Sequence, residues 1–184
     1  MKKMIISVLG KDRPGIIAAV TKVLLEKDFN IEDVSQTILQ NQFSGIFIAQ
    51  GPDRLTPDDL SRGLEADASD FNLHFRVLDL DADEATWTPC DCEPFVITTR
   101  GPDRKGLVAN ITALLAAYNV NVTQLQAAFR GGNDPDKNIM IYEVDIPLDI
   151  DQKKLRQALQ DKGKALNLQI NIQHKSIFEA INRI

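Results

Sequence analysis

The feature that most constrains the fold is an internal repeat, in which a short glycine-containing motif occurs twice, 91 positions apart. It reads Gly-Lys-Asp-Arg-Pro-Gly at residues 10–15 and Gly-Pro-Asp-Arg-Lys-Gly at residues 101–106. Each motif follows a short apolar run and precedes apolar residues at helical spacing, so each is expected where a strand ends and a helix begins. The chain is therefore predicted to contain two copies of one structural unit.

The similarity between the copies extends over both of their predicted helices. The first helix keeps the offset of 91 along its apolar face, which pairs Ile16, Ile17, Val20, Val23 and Leu24 with Leu107, Val108, Ile111, Leu114 and Leu115. The second helix keeps an offset of 95, which pairs Leu60, Leu64 and Phe71 with Leu155, Leu159 and Leu166. The change of offset falls at the glycine-rich segment 131–136, which is typical of a loop insertion.

Each copy reads strand, helix, strand, strand, helix, strand. This order predicts an α+β fold of two tandem ferredoxin-like βαββαβ units, with antiparallel sheets and helices on one face. The predicted boundaries are 1–80 for the first unit, 81–93 for an acidic linker, 94–175 for the second unit and 176–184 for a helical tail. The second strand of such a unit lies at a sheet edge, which could pair the two units side by side.

Some predicted strands are apolar on both faces and therefore need cover on both sides. In the first strand Met4, Ile6 and Val8 alternate with Ile5 and Leu9. The cover for the face without helices could be another subunit or the C-terminal segment with its apolar residues at helical spacing, which are Ile177, Phe178, Ile181 and Ile184. We predict a homodimer.

Charge and composition exclude several classes of protein. The net charge of −5 divides into −3, −5 and +3 over residues 1–80, 81–93 and 94–184, so neither half is basic enough for direct nucleic-acid binding. No apolar run approaches membrane-spanning length, and charges at Lys11, Asp12 and Arg13 interrupt the first apolar run before it could serve as a signal peptide. Two cysteines, Cys90 and Cys92, are too few for a disulfide framework. A cytoplasmic location is the simplest interpretation.

The motif itself suggests a binding site for a small anion. Backbone N–H groups at the start of a helix have no partner within the helix, and the helix dipole favours a negative group there. A glycine beside them lets a ligand approach closely, so a carboxylate would fit. The alternative is a tight strand–helix turn with no ligand.

At Asp-Arg-Pro-Gly followed by an apolar helix and Asn-Ile, the sequence resembles the ACT domain, a small-molecule-sensing βαββαβ module. The resemblance covers nearly the whole chain as two copies. Residues 9–16, 30–33 and 38–43 look most like the glycine cleavage system transcriptional repressor family. That family implies regulation through a protein partner, a LysR-type transcription activator, with glycine as the sensed effector.

The resemblance also implies site residues, because ACT domains bind amino acids between the first strand–helix loop of one domain and the second-strand region of its partner. In the first copy these are Asp12, Arg13, Pro14, Gly15 and Ile16, with Asn30 and Ile31 opposite. In the second copy they are Asp103, Arg104, Lys105, Gly106 and Leu107, with Asn121 and Val122 opposite. Asp12 or Asp103 would suit the ammonium group of the ligand. The second copy has Lys105 where the first has Pro14, so the two sites could differ in affinity or one could be degenerate.

The remaining chemistry-bearing residues do not form a constellation. His74 and His174 are not equivalent in the repeat, and Cys90-Asp91-Cys92 cannot complete a tetrahedral metal site alone. We expect no metal, no cofactor and no catalytic activity, since no nucleophile or acid–base pair is evident. Two other functions remain open: a ligand-independent protein–protein interaction module, and RNA binding, which would require exposed aromatic residues on the central strands.

Overall fold

The computed structural model describes residues 1–81, 91–129 and 138–182, and the chain divides into two compact units, Met1–Thr88 and Pro89–Ile184. Unit 1 has the predicted order of elements. They are β1 (Lys2–Lys11), α1 (Ile16–Glu26), β2 (Asn30–Leu39), β3 (Gln42–Gly51), α2 (Pro57–Asp67), a short 3-10 turn (Ser69–Phe71) and β4 (His74–Leu80).

Unit 2 repeats this order and adds a helix at its C-terminal end. Its elements are β5 (Cys92–Gly101), α3 (Leu107–Ala117), β6 (Asn121–Phe129), β7 (Asn138–Pro147), α4 (Gln152–Leu166), β8 (Gln169–His174) and α5 (Lys175–Asn182). The division between the units falls inside the predicted linker, and β5 begins two residues before the predicted start of the second unit. The glycine-rich segment 131–136 lies outside the described residues.

Each unit contains one four-stranded antiparallel sheet, ordered β2-β3-β1-β4 in unit 1 and β6-β7-β5-β8 in unit 2. The α+β class and the βαββαβ order predicted from the repeat are confirmed. The second strand of each copy lies at a sheet edge, as expected from the topology. Both edge strands carry a β-bulge at the same place in the repeat, between Ile31 and Asp33 and between Val122 and Gln124.

Two separate hydrophobic cores form between the sheets and their helices. In unit 1 the inward residues of β1 are Met4, Ile6 and Val8, and they meet the apolar face of α1 at Val20 and Leu24. In unit 2 the matching positions bring Ile97 together with Ile111 and Leu115. All of these side chains are at most 1% exposed. The helical spacing of apolar residues in the sequence therefore identified the core-facing side of α1 and α3 correctly.

On the opposite face of the unit 2 sheet, α5 packs against β5 and β8. Val96 points away from the core of unit 2, yet it is only 2% exposed. Lys175 Nζ, at the start of α5, lies 2.7 Å from Oε2 of Glu143, the residue opposite Val96 in the β5–β7 register. Of the two covers proposed for such a face, the C-terminal segment therefore lies on unit 2, and cover by another subunit stays a prediction.

Within residues 1–81, the described part of unit 1, no helix packs on the matching face of the sheet, and that face is exposed. We call this surface the open face of unit 1; its apolar residues are Ile5, Leu9, Ile46, Ile48 and Leu78. Leu9, Ile46 and Leu78 are each about half exposed. The register places Ile5 directly opposite both Ile48 and Leu78, so these side chains are neighbours. An apolar surface of this kind is typical of an interaction surface.

Candidate functional site

Both motif loops end on a glycine with left-handed backbone geometry, immediately before a helix. Gly15 has φ of 101° and precedes Ile16, the first residue of α1. Gly106 has φ of 88° and precedes Leu107, the first residue of α3. Because a side chain at such φ values clashes with its own backbone, both positions favour glycine. The prediction that each motif joins a strand to a helix is confirmed.

The helices that follow the motifs begin differently from the other two helices of the repeat. α1 and α3 have a glycine cap, no side-chain hydrogen bond to the first turn and no acidic residue there. α2 is capped by Thr56 in a capping box with Asp59, and α4 is capped by Asp151, which accepts from two backbone N–H groups. The first-turn N–H groups of α1 and α3 are therefore left for another acceptor.

The capping bonds depress the pKa of the two acidic cap groups. The hydroxyl of Thr56 donates to Asp59 and lowers the pKa of that carboxyl below its usual range. The backbone N–H of Lys154 does the same for the pKa of Asp151. At neutral pH, both carboxylates are ionised beside positively polarised helix ends. α1 and α3 have no such carboxylate at their first turn.

In unit 1 the motif loop is held by contacts with the rest of its own unit. The guanidinium carbon of Arg13 lies 4.2 Å from the centre of the Phe71 ring, and Arg13 Nη2 donates to the carbonyl oxygen of Asp70. The backbone N–H of Asp12 donates to the carbonyl oxygen of Asn41 at 2.9 Å. Arg13 therefore anchors the loop to the turn before β4, and Ile16 is buried in the core.

In unit 2 the equivalent loop surrounds a cavity of about 410 Å³. The cavity is lined by Asp103, Arg104, Gly106, Leu107, Val108, Ala109 and Met140. The position of Phe71 in unit 1 is taken by Leu166, which offers no aromatic ring to Arg104. Asp103, Arg104 and Lys105 are exposed, so the loop of unit 2 presents both a carboxylate and two cationic groups to solvent.

One wall of this cavity, Met140, also contacts a buried phenol. The hydroxyl of Tyr142 donates to Met140 Sδ at 3.4 Å. Burial raises the pKa of Tyr142 to about 12, since the interior disfavours the phenolate. The hydroxyl is therefore neutral and a donor throughout the physiological pH range.

Asn30, Ile31, Asn121 and Val122 lie far from the motif loop of their own unit. Asn30 is opposite Gln50, which is opposite Lys3 near the start of β1, whereas the loop follows Lys11. Eight residues of strand separate the two ends, about 27 Å. The two halves of the predicted site therefore do not meet within one unit, and the site stays a prediction.

A second cavity of about 450 Å³ lies between the end of β5 and the C-terminal end of α4. It is lined by Arg100, Gly101, Pro102, Gly163, Lys164, Asn167, Leu168 and Gln169. The C-terminal end of α4 borders it, and the partial charge at a helix C-terminus is negative. Arg100 and Lys164 bring positive charge to the same cavity. We take the cavity at 103–109 as the candidate because the motif loop and the start of α3 line it.

The described residues contain no cluster of three or more His, Cys, Asp or Glu side chains that could hold a metal ion. Cys92 at the start of β5 is disulfide-bonded, and Cys90 lies outside the described residues. His174 packs edge-on against Phe95, with Nδ1 2.7 Å from the hydroxyl of Ser176. In the part of the chain that is described, no helix combines the length and apolar character needed to cross a membrane.

Comparison with known proteins agrees with the repeat and the sheet order. A model of the ACT domain family matches residues 2–78 and 93–173, which together make up most of the chain. The chain belongs to the ACT domain family. Each match covers one βαββαβ unit, so this is a tandem ACT-domain protein.

Relatives of this ACT-domain protein include single-unit sequences from archaea. A UPF0237 protein of Methanosarcina mazei is 34% identical over 91 residues, which cover 49% of this chain and 95% of the relative. A UPF0237 protein of Methanopyrus kandleri is also 34% identical over 91 residues, covering 48% of this chain and 96% of the relative. Their names assign no function.

Two solved structures share the tandem fold. A protein of unknown function from Galdieria sulphuraria has a TM-score of 0.77 at 19% identity, covering 94% of this chain and 98% of that one. A protein provisionally assigned as a glycine cleavage system transcriptional repressor has a TM-score of 0.68 at 17% identity, covering 94% and 96%. At these identities the likeness establishes the fold.

Sequence reasoning missed the residues that hold or line the loops. Asp70, Phe71 and Asn41 hold the loop of unit 1, and Met140 lines the cavity of unit 2. The repeat contained one usable signal. At an offset of 95, Met140 takes the place of Gly45, and a large flexible side chain replacing a glycine indicates a change in local packing.

Proposed function

We propose that this tandem ACT-domain protein is a non-enzymatic regulator that binds a small, glycine-like amino acid at its motif loops. The uncapped starts of α1 and α3 carry this proposal, since they would receive the carboxylate of the ligand. Asp12 and Asp103 are exposed in the same loops and would receive its ammonium group. Asn30, Ile31, Asn121 and Val122 would complete the sites from a neighbouring unit.

Ligand binding would regulate a protein partner by favouring one arrangement of the units over others. The likeness to the glycine cleavage system transcriptional repressor family supports a transcription regulator of the LysR type as that partner. We propose that the protein works in the cytoplasm as a homodimer, without contacting nucleic acid directly. Membership of the ACT domain family supports a regulatory role.

Calorimetric titration with glycine, alanine and serine tests the binding step. We expect saturable binding of at least one of them by the intact chain. Gly106→Asp should weaken it at least ten-fold, because the new carboxylate would occupy the position of the ligand carboxylate. Gly106→Ala should weaken it less, since a methyl group there would make only an ordinary contact with Asn110 Nδ2 at 3.6 Å.

Thr56→Ala is the matched control, because it removes a cap from α2, a helix that does not follow a motif. It should leave ligand affinity unchanged. Equal effects of Gly106→Asp and Gly106→Ala would contradict a carboxylate site. Absence of binding by all three amino acids would contradict the sensor function.

A second candidate function is a ligand-independent interaction module, and the open face of unit 1 favours it. Leu9, Ile46 and Leu78 expose apolar area that a protein partner could bury. Leu78→Lys should then abolish partner binding whether or not an amino acid is present. The central strands of that face carry Ile5, Ser7, Leu9, Ile46 and Ile48, so the aromatic residues that RNA binding needs are absent from these positions.

A further inference from the structure

The two units differ at buried positions directly beneath the motif loop. In unit 1, Val8 lies on β1 and Phe43 lies opposite Gly10 on β3. In unit 2 the equivalent positions are Thr99 on β5 and Asn138, which lies opposite Gly101 on β7. Two apolar side chains of the first copy are therefore replaced by polar ones in the second.

These polar side chains are buried without hydrogen-bond partners. Thr99 is fully buried and Asn138 is 5% exposed. Thr99 Oγ1 and both amide atoms of Asn138, Oδ1 and Nδ2, have no hydrogen-bond partner among the residues that the structure describes. Most buried polar atoms in folded proteins are hydrogen-bonded. Because unit 1 forms the same fold with Val8 and Phe43, the fold alone does not require polar groups at these positions.

Met140 connects this polar pair with the cavity. It lies opposite Thr99 in the β5–β7 register and two residues from Asn138 on the same face of β7. Met140 also lines the cavity of about 410 Å³, together with Gly106 and Leu107. Its unbranched side chain changes rotamer readily, so the wall next to Thr99 and Asn138 is adaptable.

Unit 1 fills the same region with an aromatic ring. The position of Met140 is Gly45 there, and a methyl group on Gly45 would lie 2.9 Å from Cζ of Phe43. The ring thus occupies the space above the glycine, and no polar atom faces it from Val8. The equivalent region of unit 1 offers a ligand neither an adaptable wall nor a hydrogen-bonding group.

We propose that the cavity of unit 2 is selective for a small amino acid with an uncharged polar side chain, a hydroxyl or an amide. The carboxylate of the ligand lies at the start of α3. The side chain of the ligand displaces Met140 and forms hydrogen bonds with Thr99 and Asn138. This inference rests on the proposed function and adds to it that the two units differ in ligand preference, with unit 2 as the selective site.

Matched pairs of ligands test the selectivity by calorimetry on the intact chain. L-serine differs from L-alanine, and L-threonine from L-valine, mainly by a hydroxyl. We expect the hydroxyl-bearing member of at least one pair to bind about ten-fold more tightly, because its hydroxyl can form a hydrogen bond with the buried polar groups. Thr99→Val should abolish this preference, because it removes the hydroxyl that bonds to the ligand and keeps the shape of the side chain.

Thr98→Val is the matched control, because Thr98 lies on the same strand but on the other face of the sheet. It should keep the preference. Asn138→Leu should lower the preference as well. If the Asn138 variant does not fold, Thr99→Val still tests the inference, because valine has nearly the same shape as threonine. Binding of glycine or alanine with no hydroxyl preference, or a preference that survives Thr99→Val, overturns this inference and leaves the proposed function intact. Absence of binding by every amino acid overturns both.

Discussion

Gly15 and Gly106 occupy equivalent places in the repeat but have different surroundings. A methyl group on Gly15 would lie 3.1 Å from Cζ of Phe71, whereas one on Gly106 would meet nothing closer than 3.6 Å. Both have a positive φ that disfavours any side chain. A side chain at either position therefore strains the backbone, and at Gly15 it would also crowd the Phe71 ring.

We expect Gly106→Ala to lower the free energy of unfolding by about 1 kcal/mol and Gly15→Ala to lower it by more. Chemical denaturation of the two variants measures the difference. The Arg13–Phe71 contact must adjust in the Gly15 variant, which explains the order. A larger loss for Gly106→Ala than for Gly15→Ala would contradict the packing described for the unit 1 loop.

Tyr142 gives the stability of unit 2 a specific dependence on alkaline pH. Its pKa is raised from 10.0 to about 12 in the fold, so below pH 10 the phenol is neutral in both folded and unfolded chains. Between pH 10 and 12 only the unfolded chain ionises, and stability falls by about 1.4 kcal/mol per pH unit. We expect Tyr142→Phe to remove this component when unfolding is followed from pH 8 to 12.

Phe47 occupies the equivalent place in unit 1, so phenylalanine fits the fold at this position. Among the described residues, the hydroxyl of Tyr142 donates to a thioether, which is a weak acceptor, so loss of the hydroxyl should cost little at pH 7. A wild-type chain and a Tyr142→Phe variant with parallel pH profiles above pH 10 would show that the phenol ionises freely in the folded state.

At the scale of elements, α5 is the main difference between the two units. It buries Val96 on a sheet face whose counterpart in unit 1 is exposed. The Glu143 carboxylate beside Lys175 raises the pKa of that ammonium group, so the ion pair is complete at neutral pH and is lost only as the pH rises above the usual lysine range.

Removal of residues 175–184 should uncover Val96 and lower the free energy of unfolding of unit 2 by about 2 kcal/mol. Binding of a hydrophobic dye should rise at the same time, because a second apolar sheet face becomes exposed. Thermal unfolding and dye fluorescence are the measurements, with removal of residues 183–184 alone as the control. If dye binding and stability match those of the intact chain, α5 does not shield the sheet.

The elements were predictable from the sequence because their signals are local. Helix faces follow from apolar spacing, and the strand–helix motif follows from its glycines. The contacts that shape the sites are not local. Arg13 meets Phe71 across 58 positions, and the pairing of Thr99 with Met140 depends on strand register. The choice between α5 and another subunit as cover for a sheet face also lay outside the sequence pattern.

At the scale of the whole molecule, the chain carries two independent cores of equivalent design. Leu24 in unit 1 and Leu115 in unit 2 are both fully buried and occupy the same place in the repeat. Each belongs to a core made only from residues of its own unit. A cavity created by substitution in one core should therefore remove packing contacts mainly within its own unit.

We expect Leu24→Ala and Leu115→Ala each to destabilise their own unit by about 2–5 kcal/mol. Amide hydrogen exchange should show lost protection mainly within residues 1–81 for Leu24→Ala and within 91–129 and 138–182 for Leu115→Ala. Equal loss of protection in both units from either change would mean that the chain unfolds as one cooperative body.

The covered sheet face of unit 2 has a consequence for how copies of this chain can assemble. A subunit with two exposed apolar sheet faces could join others head to tail without limit, and such heterologous contacts lead to filaments. With α5 packed on β5 and β8, the open face of unit 1 is the sheet face without a helix in the described part of the chain, so contacts confined to it would end once two copies had met. We therefore expect the C-terminal helix to limit assembly through sheet faces to closed pairs rather than filaments.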